Sequence, residues 1–414
     1  MAAATRIDNS PPRFKPVTAA LVLSAALGTA SSEQPASPAR AAAASSKAST
    51  SITPAETNVS VHWNEIARSL VASHNTNGPM ASRVYALVSV AQIVAVGAVD
   101  AATQQRGRDE DWSSTLRAAV AKASADVLSG LYPDSAIAAV PTASRGSSST
   151  GDAIGASVAR IVLAGAATDG ASAANCPATP PLPPSQFWHD DAAPPDPQAL
   201  LPCFGNVRTW LQLDVTRFHA NPPPPVGSPA FLQGVAAVRQ ISDTRTAARL
   251  ATVDKWLDGN NSLTPAGRWN LIASDLITRY HLGDADAARV FGVLNVAMMD
   301  THIACWDRKF AFWELRPWQV DPLITTPRGR PHHPGNPSGH ACAGGAGSGI
   351  LAGFFPSQRD SLFALGFEEG FTTVQSGVHF RFDVDEGLQM GRTIAARALA
   401  LNDLAARVRA SSQR

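Results

Sequence analysis

The chain has few charged residues and almost no excess of either sign. Asp, Glu, Lys and Arg make up 16% of its 414 residues, and 34 basic against 33 acidic residues give a formal net charge of +1. No long basic stripe interrupts this balance, which argues against a nucleic-acid-binding surface. The hydrophobic content of 45% is normal for a globular protein, so we expect most of the chain to fold.

Cysteines and long apolar runs are also scarce. Four cysteines exclude a disulfide-rich scaffold but allow one or two bridges. Clean apolar runs of about 18 residues are missing, so we expect no integral membrane span. The most apolar internal stretch, residues 84–99, is interrupted by Ser89 and Gln92 and is interpreted as a buried core helix.

Residues 1–55 have the composition of a targeting segment. Basic residues precede a short apolar stretch, residues 17–30, and an Ala-, Ser- and Pro-rich stretch follows. This pattern predicts an export signal with a disordered linker, and therefore a secreted or periplasmic protein. An organelle transit peptide and a simple unstructured tail are the alternatives.

Residues 56–414 are predicted to form a single all-α domain, a large helical bundle. Apolar residues recur at steps of three and four, and alternation with period two is almost absent. The predicted helices are 63–72, 81–104, 112–131, 151–167, 229–241, 244–257, 264–280, 284–306, 341–354, 357–375 and 384–409.

A Pro-rich excursion, residues 171–228, interrupts the helical pattern. Its proline runs forbid regular helix and central strand. It also contains large aromatic residues, and loops of this length often cover a functional site. We therefore expect it to pack across a surface. Cys176 and Cys203 could bridge it, Cys305 and Cys342 are the other candidate pair, and four reduced thiols are the alternative.

Three clusters near the C-terminus carry residues suited to acid–base and anion chemistry. They are Lys309 with Arg316-Pro317, Pro337-Ser338-Gly339-His340, and His379 with Asp383. Arg offers a planar fork for two oxygens, and Lys offers a compact charge. Gly339 lets the backbone approach an anion, and a helix beginning there would present free N–H groups. If His379 and Asp383 lie four residues apart on one helix, Asp383 could orient the His379 imidazole.

The order and spacing of these clusters resemble the vanadium-dependent haloperoxidases. That family shares a helical fold and an anion site with type 2 phosphatidic acid phosphatases and bacterial acid phosphatases. The resemblance implies that Lys309, Arg316, Ser338 and Gly339 bind vanadate and that His379 is its apical ligand. It also implies that His340 performs acid–base chemistry, and that hydrogen peroxide, a halide and a small organic acceptor are the reaction partners.

The resemblance implies roles for three supporting residues. Trp306 matches a tryptophan that lines the site in some members, and His333 matches a position that is His or aromatic. Asp258 resembles the carboxylate that holds the first-motif arginine; a turn residue before Gly259 is the alternative reading.

The chain departs from the family pattern at one place. The family has Ser-Arg six residues before the last histidine, where this chain has Thr372-Thr373. A missing guanidinium would weaken anion binding by roughly two orders of magnitude. Two alternative functions therefore remain. One is a soluble acid phosphatase with His379 as nucleophile and phosphate in place of vanadate. The other is a degenerate, non-catalytic anion-binding homologue.

Overall fold

The computed structural model describes residues 58–103, 110–135, 147–191, 199–219, 222–259 and 261–412. The predicted targeting segment, residues 1–55, lies outside the described residues. Every regular element in the described residues is helical, so the predicted all-α class is confirmed. The helices are α1 (Val59–Ser73), α2 (Gly78–Thr103), α3 (Glu110–Leu131), α4 (Ser149–Ala166), α5 (Pro229–Asp243), α6 (Ala247–Lys255), α7 (Thr264–Arg279), α8 (Asp284–Phe312), α9 (Pro317–Val320), α10 (Gly339–Phe354), α11 (Arg359–Gln375) and α12 (Arg381–Ser412).

The helix boundaries follow local signals in the sequence. Ser228 caps α5 by accepting a hydrogen bond from the Phe231 amide, and Pro229 stands at its first position. Thr264 resembles such a cap in sequence, but it begins α7 itself with φ +65°, and its buried hydroxyl has no partner among the described residues.

The long helix α8 lies at the centre of the bundle. It packs against α2, α10 and α12, and its residues are buried on all sides. The sequence predicts this helix as far as residue 306, but it continues for six residues to Phe312. Trp313 then adopts a left-handed backbone conformation with φ 51° and ends it. This extension holds Lys309 in the protein interior.

Glycines allow α10 to pack closely against its neighbours. A Cβ at Gly344 would lie 2.5 Å from the carbonyl oxygen of Gly366 on α11. A Cβ at Gly387 would lie 2.8 Å from the carbonyl oxygen of Ser338. Side chains at these positions would push apart the helix ends that form the candidate site.

Helix α2 contains the apolar stretch at residues 84–99. By length and hydropathy it is the one helix in the described part of the chain that could cross a membrane, and 72% of its most apolar window is buried within the protein. It packs against α1, α3, α4, α7 and α8. This burial agrees with the core helix that the sequence predicts.

In its described parts, residues 171–191, 199–219 and 222–228, the Pro-rich excursion packs over the chain around α9. The Trp188 amide donates to the Trp313 carbonyl at 2.7 Å, and the Leu200 amide donates to the His332 carbonyl at 2.7 Å. A disulfide joins Cys176 to Cys203 within it, whereas Cys305 and Cys342 are free and buried. We call residues 171–228 the cover segment.

Candidate anion-binding site

Two basic side chains of the first motif lie in the protein interior. Lys309 is in the last turn of α8, and Arg316 follows Trp313 in an extended link that leads into α9. Both are 0% exposed. Burying a charge is costly unless it is compensated, so two buried cations on one short stretch require acceptors or an anion.

Lys309 is held by backbone carbonyls of the chain that precedes Ser338. Its ammonium donates to the carbonyl oxygens of Pro334 at 3.0 Å, Gly335 at 2.7 Å and Pro337. Burial lowers the pKa of Lys309 to about 8. The ammonium is therefore still charged at neutral pH, and it contacts Pro337, the first residue of the second motif.

Arg316 uses its guanidinium to join His333 and His379. Its Nη1 donates to His379 Nε2 at 2.9 Å, and its Nη2 donates to His333 Nδ1 at 3.0 Å. The carbonyls of His333 and Val378 accept its other N–H groups. Burial lowers its pKa to about 10, so Arg316 stays protonated at neutral pH.

The second motif forms the N-terminus of α10, as the sequence predicts. Ser338 is the N-cap, and its Oγ accepts a hydrogen bond from the Ala341 amide at 3.4 Å. The Ser338 amide donates to the Asp383 carbonyl at 3.0 Å. The first turn of α10 therefore points its positive end at the same region as Lys309 and the third motif.

His379 and Asp383 form a buried pair. His379 Nδ1 lies 2.9 Å from Asp383 Oδ2, which also accepts a hydrogen bond from the Phe380 amide at 3.0 Å. His379 precedes α12 instead of lying on it, which corrects the helical geometry assumed from their spacing. Burial and then the charge of Arg316 lower the pKa of His379 well below its usual value. Nε2 of the neutral ring is thus available as an acceptor.

Trp306 and His333 form one wall of the site. Their ring centroids are 5.0 Å apart, and Lys309 Nζ lies 5.8 Å from the Trp306 ring. A Cβ on Gly339 would come within 3.6 Å of the Trp306 ring. Both supporting residues therefore lie beside the three motifs.

His340 lies at the edge of this group. It follows Gly339 in the first turn of α10, and its Nε2 lies 3.2 Å from the Leu257 carbonyl. Burial lowers its pKa, the nearby Asp258 opposes that shift, and Lys309 adds to it. His340 is partly exposed, as is His333, whereas His379 is buried.

The position of the missing arginine is occupied by a hydroxyl. Thr373 Oγ1 lies 3.3 Å from Ser338 Oγ and donates to the Gly370 carbonyl at 2.7 Å. Arg381 does not replace the guanidinium, because it is exposed, pairs with Asp385 and lies over Phe367. The chain therefore has basic residues at two of the three basic positions of the family pattern.

Asp258 does not hold Arg316. It forms two hydrogen bonds with Arg268, at 2.8 and 3.0 Å. The turn between α6 and α7 brings Asp258 back onto α7, where Arg268 lies. Its expected role as the partner of the first-motif arginine is therefore wrong, although it remains close to His340.

Three further residues complete the site and were not found by sequence reasoning. Arg308 donates to Asn336 Oδ1 at 2.9 Å, and Asn336 Nδ2 donates to Asp383 Oδ1 at 3.2 Å. The Glu314 carboxyl is 4% exposed and also contacts Asp383. Asn336 and Glu314 stand two residues before Ser338 and Arg316, but nothing in the sequence shows that they are buried.

The residue types around His379 fit a tetrahedral oxoanion such as vanadate. Among the described residues, neither Lys309 nor Arg316 forms an ion pair with a carboxylate, although both are fully buried. Their N–H groups point at backbone carbonyls and imidazoles, which an anion could replace as acceptors. The Ser338 hydroxyl and the N-terminus of α10 add hydrogen-bond donors for the oxygen atoms of an anion. The unprotonated Nε2 of the neutral His379 ring offers one apical bond.

Comparison with known proteins agrees with this fold. Residues 289–405, which contain all three motifs, match the sequence model of the PAP2 superfamily. Among proteins with curated descriptions, none matches the chain.

Solved structures with the same fold extend over most of the chain. A bacterial vanadium-dependent iodoperoxidase aligns with a TM-score of 0.65 and 19% identity, over 86% of this chain and 98% of its own. The holo-type structure of a bacterial vanadium-dependent chloroperoxidase aligns with a TM-score of 0.61 and 15% identity, over 80% and 94%. The apo-type structure of a bacterial vanadium-dependent chloroperoxidase gives the same TM-score and identity, over 79% and 93%. Residues 289–405 therefore resemble the PAP2 superfamily in sequence, and the described chain has the fold of these vanadium-dependent haloperoxidases.

Proposed function

We propose that the protein is a vanadate-dependent haloperoxidase-like enzyme that oxidises halide with hydrogen peroxide. One observation carries the proposal: among the described residues, Lys309 and Arg316 are fully buried without a carboxylate ion pair, and Arg316 donates to the neutral imidazole of His379. A buried excess of positive charge is costly in an empty site and is relieved by an oxoanion. The fold shared with vanadium haloperoxidases favours vanadate as that anion.

Lys309, Arg316, Ser338 and the start of α10 would hold the vanadate oxygens, and His379 Nε2 would face its vanadium atom. Bound vanadate would supply a Lewis acid that activates hydrogen peroxide without changing its own oxidation state. For this, Arg316 must exchange its hydrogen bond to His379 Nε2 for one to the anion.

The protein's own groups control protons and charge in this scheme. Asp383 accepts from His379 Nδ1 and so keeps Nε2 free of a proton. His340 is the partly exposed base that could take a proton from an incoming peroxide. The Trp306–His333 wall and the cover segment limit the entry of water.

A soluble acid phosphatase is the second candidate. The match to the PAP2 superfamily supports it, because the same cations would bind phosphate. His379, neutral and held by Asp383, would then be the nucleophile, and His340 would protonate the leaving oxygen. A non-catalytic homologue is the third candidate, and the Thr373–Ser338 contact in place of a guanidinium supports it.

The decisive experiment measures both activities on one purified sample. With orthovanadate, bromide and hydrogen peroxide, we expect halogenation of monochlorodimedone that depends on bound vanadium. His379→Ala should lose this activity, whereas His74→Ala, at the exposed end of α1, should keep it. Hydrolysis of p-nitrophenyl phosphate that vanadate suppresses, without halogenation, would establish the phosphatase. The absence of both activities would favour the non-catalytic homologue.

We also propose that the protein is exported. The Cys176–Cys203 disulfide supports this, because such bonds persist mainly in oxidising compartments. Cell fractionation and N-terminal sequencing of the mature protein test it, and a cytoplasmic protein with an intact N-terminus would contradict it.

A further inference from the structure

Glu314 is a buried carboxyl group to which the proposed reaction assigns no role. It follows Trp313, whose left-handed backbone turns the chain inward after α8. Its side chain is 4% exposed, and a Cβ on Gly335 would lie 2.8 Å from its Oε2. The Gly335 amide also donates to the Glu314 carbonyl at 2.9 Å. Glu314 is thus fixed beside the loop that leads to Ser338.

The surroundings of Glu314 require a shared proton. Neither of its carboxyl oxygens receives a hydrogen bond from an N–H or hydroxyl donor among the described residues. Its carboxyl lies instead within hydrogen-bonding contact of the Asp383 carboxyl. Two ionised carboxylates offer only acceptors, so this contact is favourable only when one of them carries a proton.

The hydrogen bonds around the pair place that proton on Glu314. Asp383 accepts from His379 Nδ1, the Phe380 amide and the Asn336 amide, and such donors favour its ionised form. Glu314 has none of these donors. Burial and the nearby charge of Asp383 raise the pKa of Glu314 well above its usual value, and Lys309 and Arg316 only partly oppose this.

We propose that Glu314 is a positioning residue which, as a neutral carboxylic acid, donates a hydrogen bond to Asp383 and so fixes the carboxylate that orients His379. Its neutrality also decides the charge of the site. Lys309 and Arg316 together then face one carboxylate, Asp383, and an excess of positive charge is left for an anion. An ionised Glu314 would cancel that excess.

The inference rests on the proposed function only in taking His379 as the group that meets the anion. Two variants separate hydrogen bonding from packing. Glu314→Gln keeps a neutral donor of nearly the same shape, whereas Glu314→Leu removes the donor. Glu369→Gln is the matched control, because Glu369 is equally buried but accepts from Trp269 on the other side of α10.

The first measurement is orthovanadate binding to each purified full-length protein by calorimetry. Loss of a residue that supports a ligating histidine typically lowers affinity by about 10- to 100-fold, and we expect this for Glu314→Leu. Glu314→Gln should lose less than the roughly tenfold lower limit of that range. Glu369→Gln should bind as the wild type does.

The second measurement needs no bound anion and no activity. In NMR spectra of protein labelled with ¹⁵N-histidine, we expect the His379 ring to be neutral and protonated on Nδ1. The ring signals of His379 are assigned by their absence in His379→Gln. Glu314→Leu should shift the ring toward imidazolium, because Asp383 without its fourth donor attracts the proton more strongly. Glu314→Gln should leave the ring unchanged. Infrared spectra at neutral pH should show a protonated carboxylic acid band that is lost in Glu314→Gln. Burial also raises the pKa of Glu369 well above its usual value, so Glu369→Gln should remove a different band and leave that of Glu314 in place.

Several results would overturn the inference. They are a folded Glu314→Leu with wild-type affinity and an unchanged His379 spectrum, a Glu314→Gln as impaired as Glu314→Leu, or infrared bands of protonated acids that Glu314→Gln leaves unchanged. If the wild type binds no vanadate, the proposed function fails, while the histidine and infrared spectra still decide the role of Glu314. If Glu314→Leu does not fold, the infrared comparison of wild type and Glu314→Gln decides it.

Discussion

Binding of a tetrahedral anion should weaken as the pH rises above neutrality, because Lys309 loses its proton. Burial lowers the pKa of this lysine from 10.5 to about 8, a shift worth about 3 kcal/mol. Below about pH 8 the charged form is present. Between about pH 8 and 10.5, Lys309 is largely deprotonated in the anion-free folded protein but protonated in the unfolded chain. In this range, anion binding therefore requires Lys309 to take up one proton.

The slope of this dependence follows from one proton taken up per anion. Affinity should fall by about tenfold for each pH unit above the lysine pKa, and so by about tenfold between pH 7 and 9. Arg316, with a pKa of about 10, adds little in this range. The pKa values of His333, His340 and His379 are lowered, so these rings stay neutral throughout.

Molybdate is the suitable probe, because it remains a tetrahedral dianion over this pH range. Calorimetric titrations at several pH values would give the slope for the wild type and for Lys309→Arg, whose guanidinium stays charged. Lys309→Arg should bind molybdate without the pH dependence, even if its affinity at neutral pH differs. A wild-type affinity that is flat with pH, or a slope that persists in Lys309→Arg, would refute the reasoning.

One neighbouring group could titrate in the same range. Burial opposes ionisation of the Cys305 thiol, but its contact with Cys342 and the charge of Lys309 lower its pKa. Cys305→Ser should therefore be titrated beside Lys309→Arg. If the slope disappears in Cys305→Ser and remains in Lys309→Arg, the thiol and not the lysine is responsible.

Three other predictions follow from the site and the cover segment. Asp383→Asn should lower orthovanadate affinity by about 10- to 100-fold, because a neutral amide that can also donate replaces the carboxylate that fixes the tautomer of His379. An unchanged affinity in calorimetry would count against that pairing. Ser338→Ala should lower the free energy of unfolding in urea by about 0.5–2 kcal/mol through loss of the α10 N-cap, and a smaller loss would contradict the capping role. Cys176→Ser, which opens a bridge between residues 27 apart, should cost about 2–4 kcal/mol in the same assay, with Cys342→Ser as the unbridged control.

Much of the fold could be predicted because it depends on local patterns. The three- and four-residue recurrence of apolar side chains gave the α-class and nearly all helices within a few residues of their ends. The larger error, at the end of α8, arose because a left-handed Trp313 and not a glycine or proline ends that helix. No residue-level signal marks a tryptophan for that conformation.

For the candidate site, some predictions were correct and one was wrong. The motif residues Lys309, Arg316, Ser338 and His379 are brought together as their shared chemistry suggested. The partner of Asp258 was predicted wrongly, because a salt bridge depends on how the turn before α7 folds back.

The amino-acid sequence by itself determined the helical class, the chemistry of the three motifs and the absence of the third cation, because these depend on residue type and short spacing. Only the tertiary structure decided that Thr373 contacts Ser338, that Arg316 holds His379 and that Glu314 lies against Asp383. Such contacts depend on the burial and approach of helices distant in sequence, and burial sets whether a carboxyl or an ammonium keeps its charge.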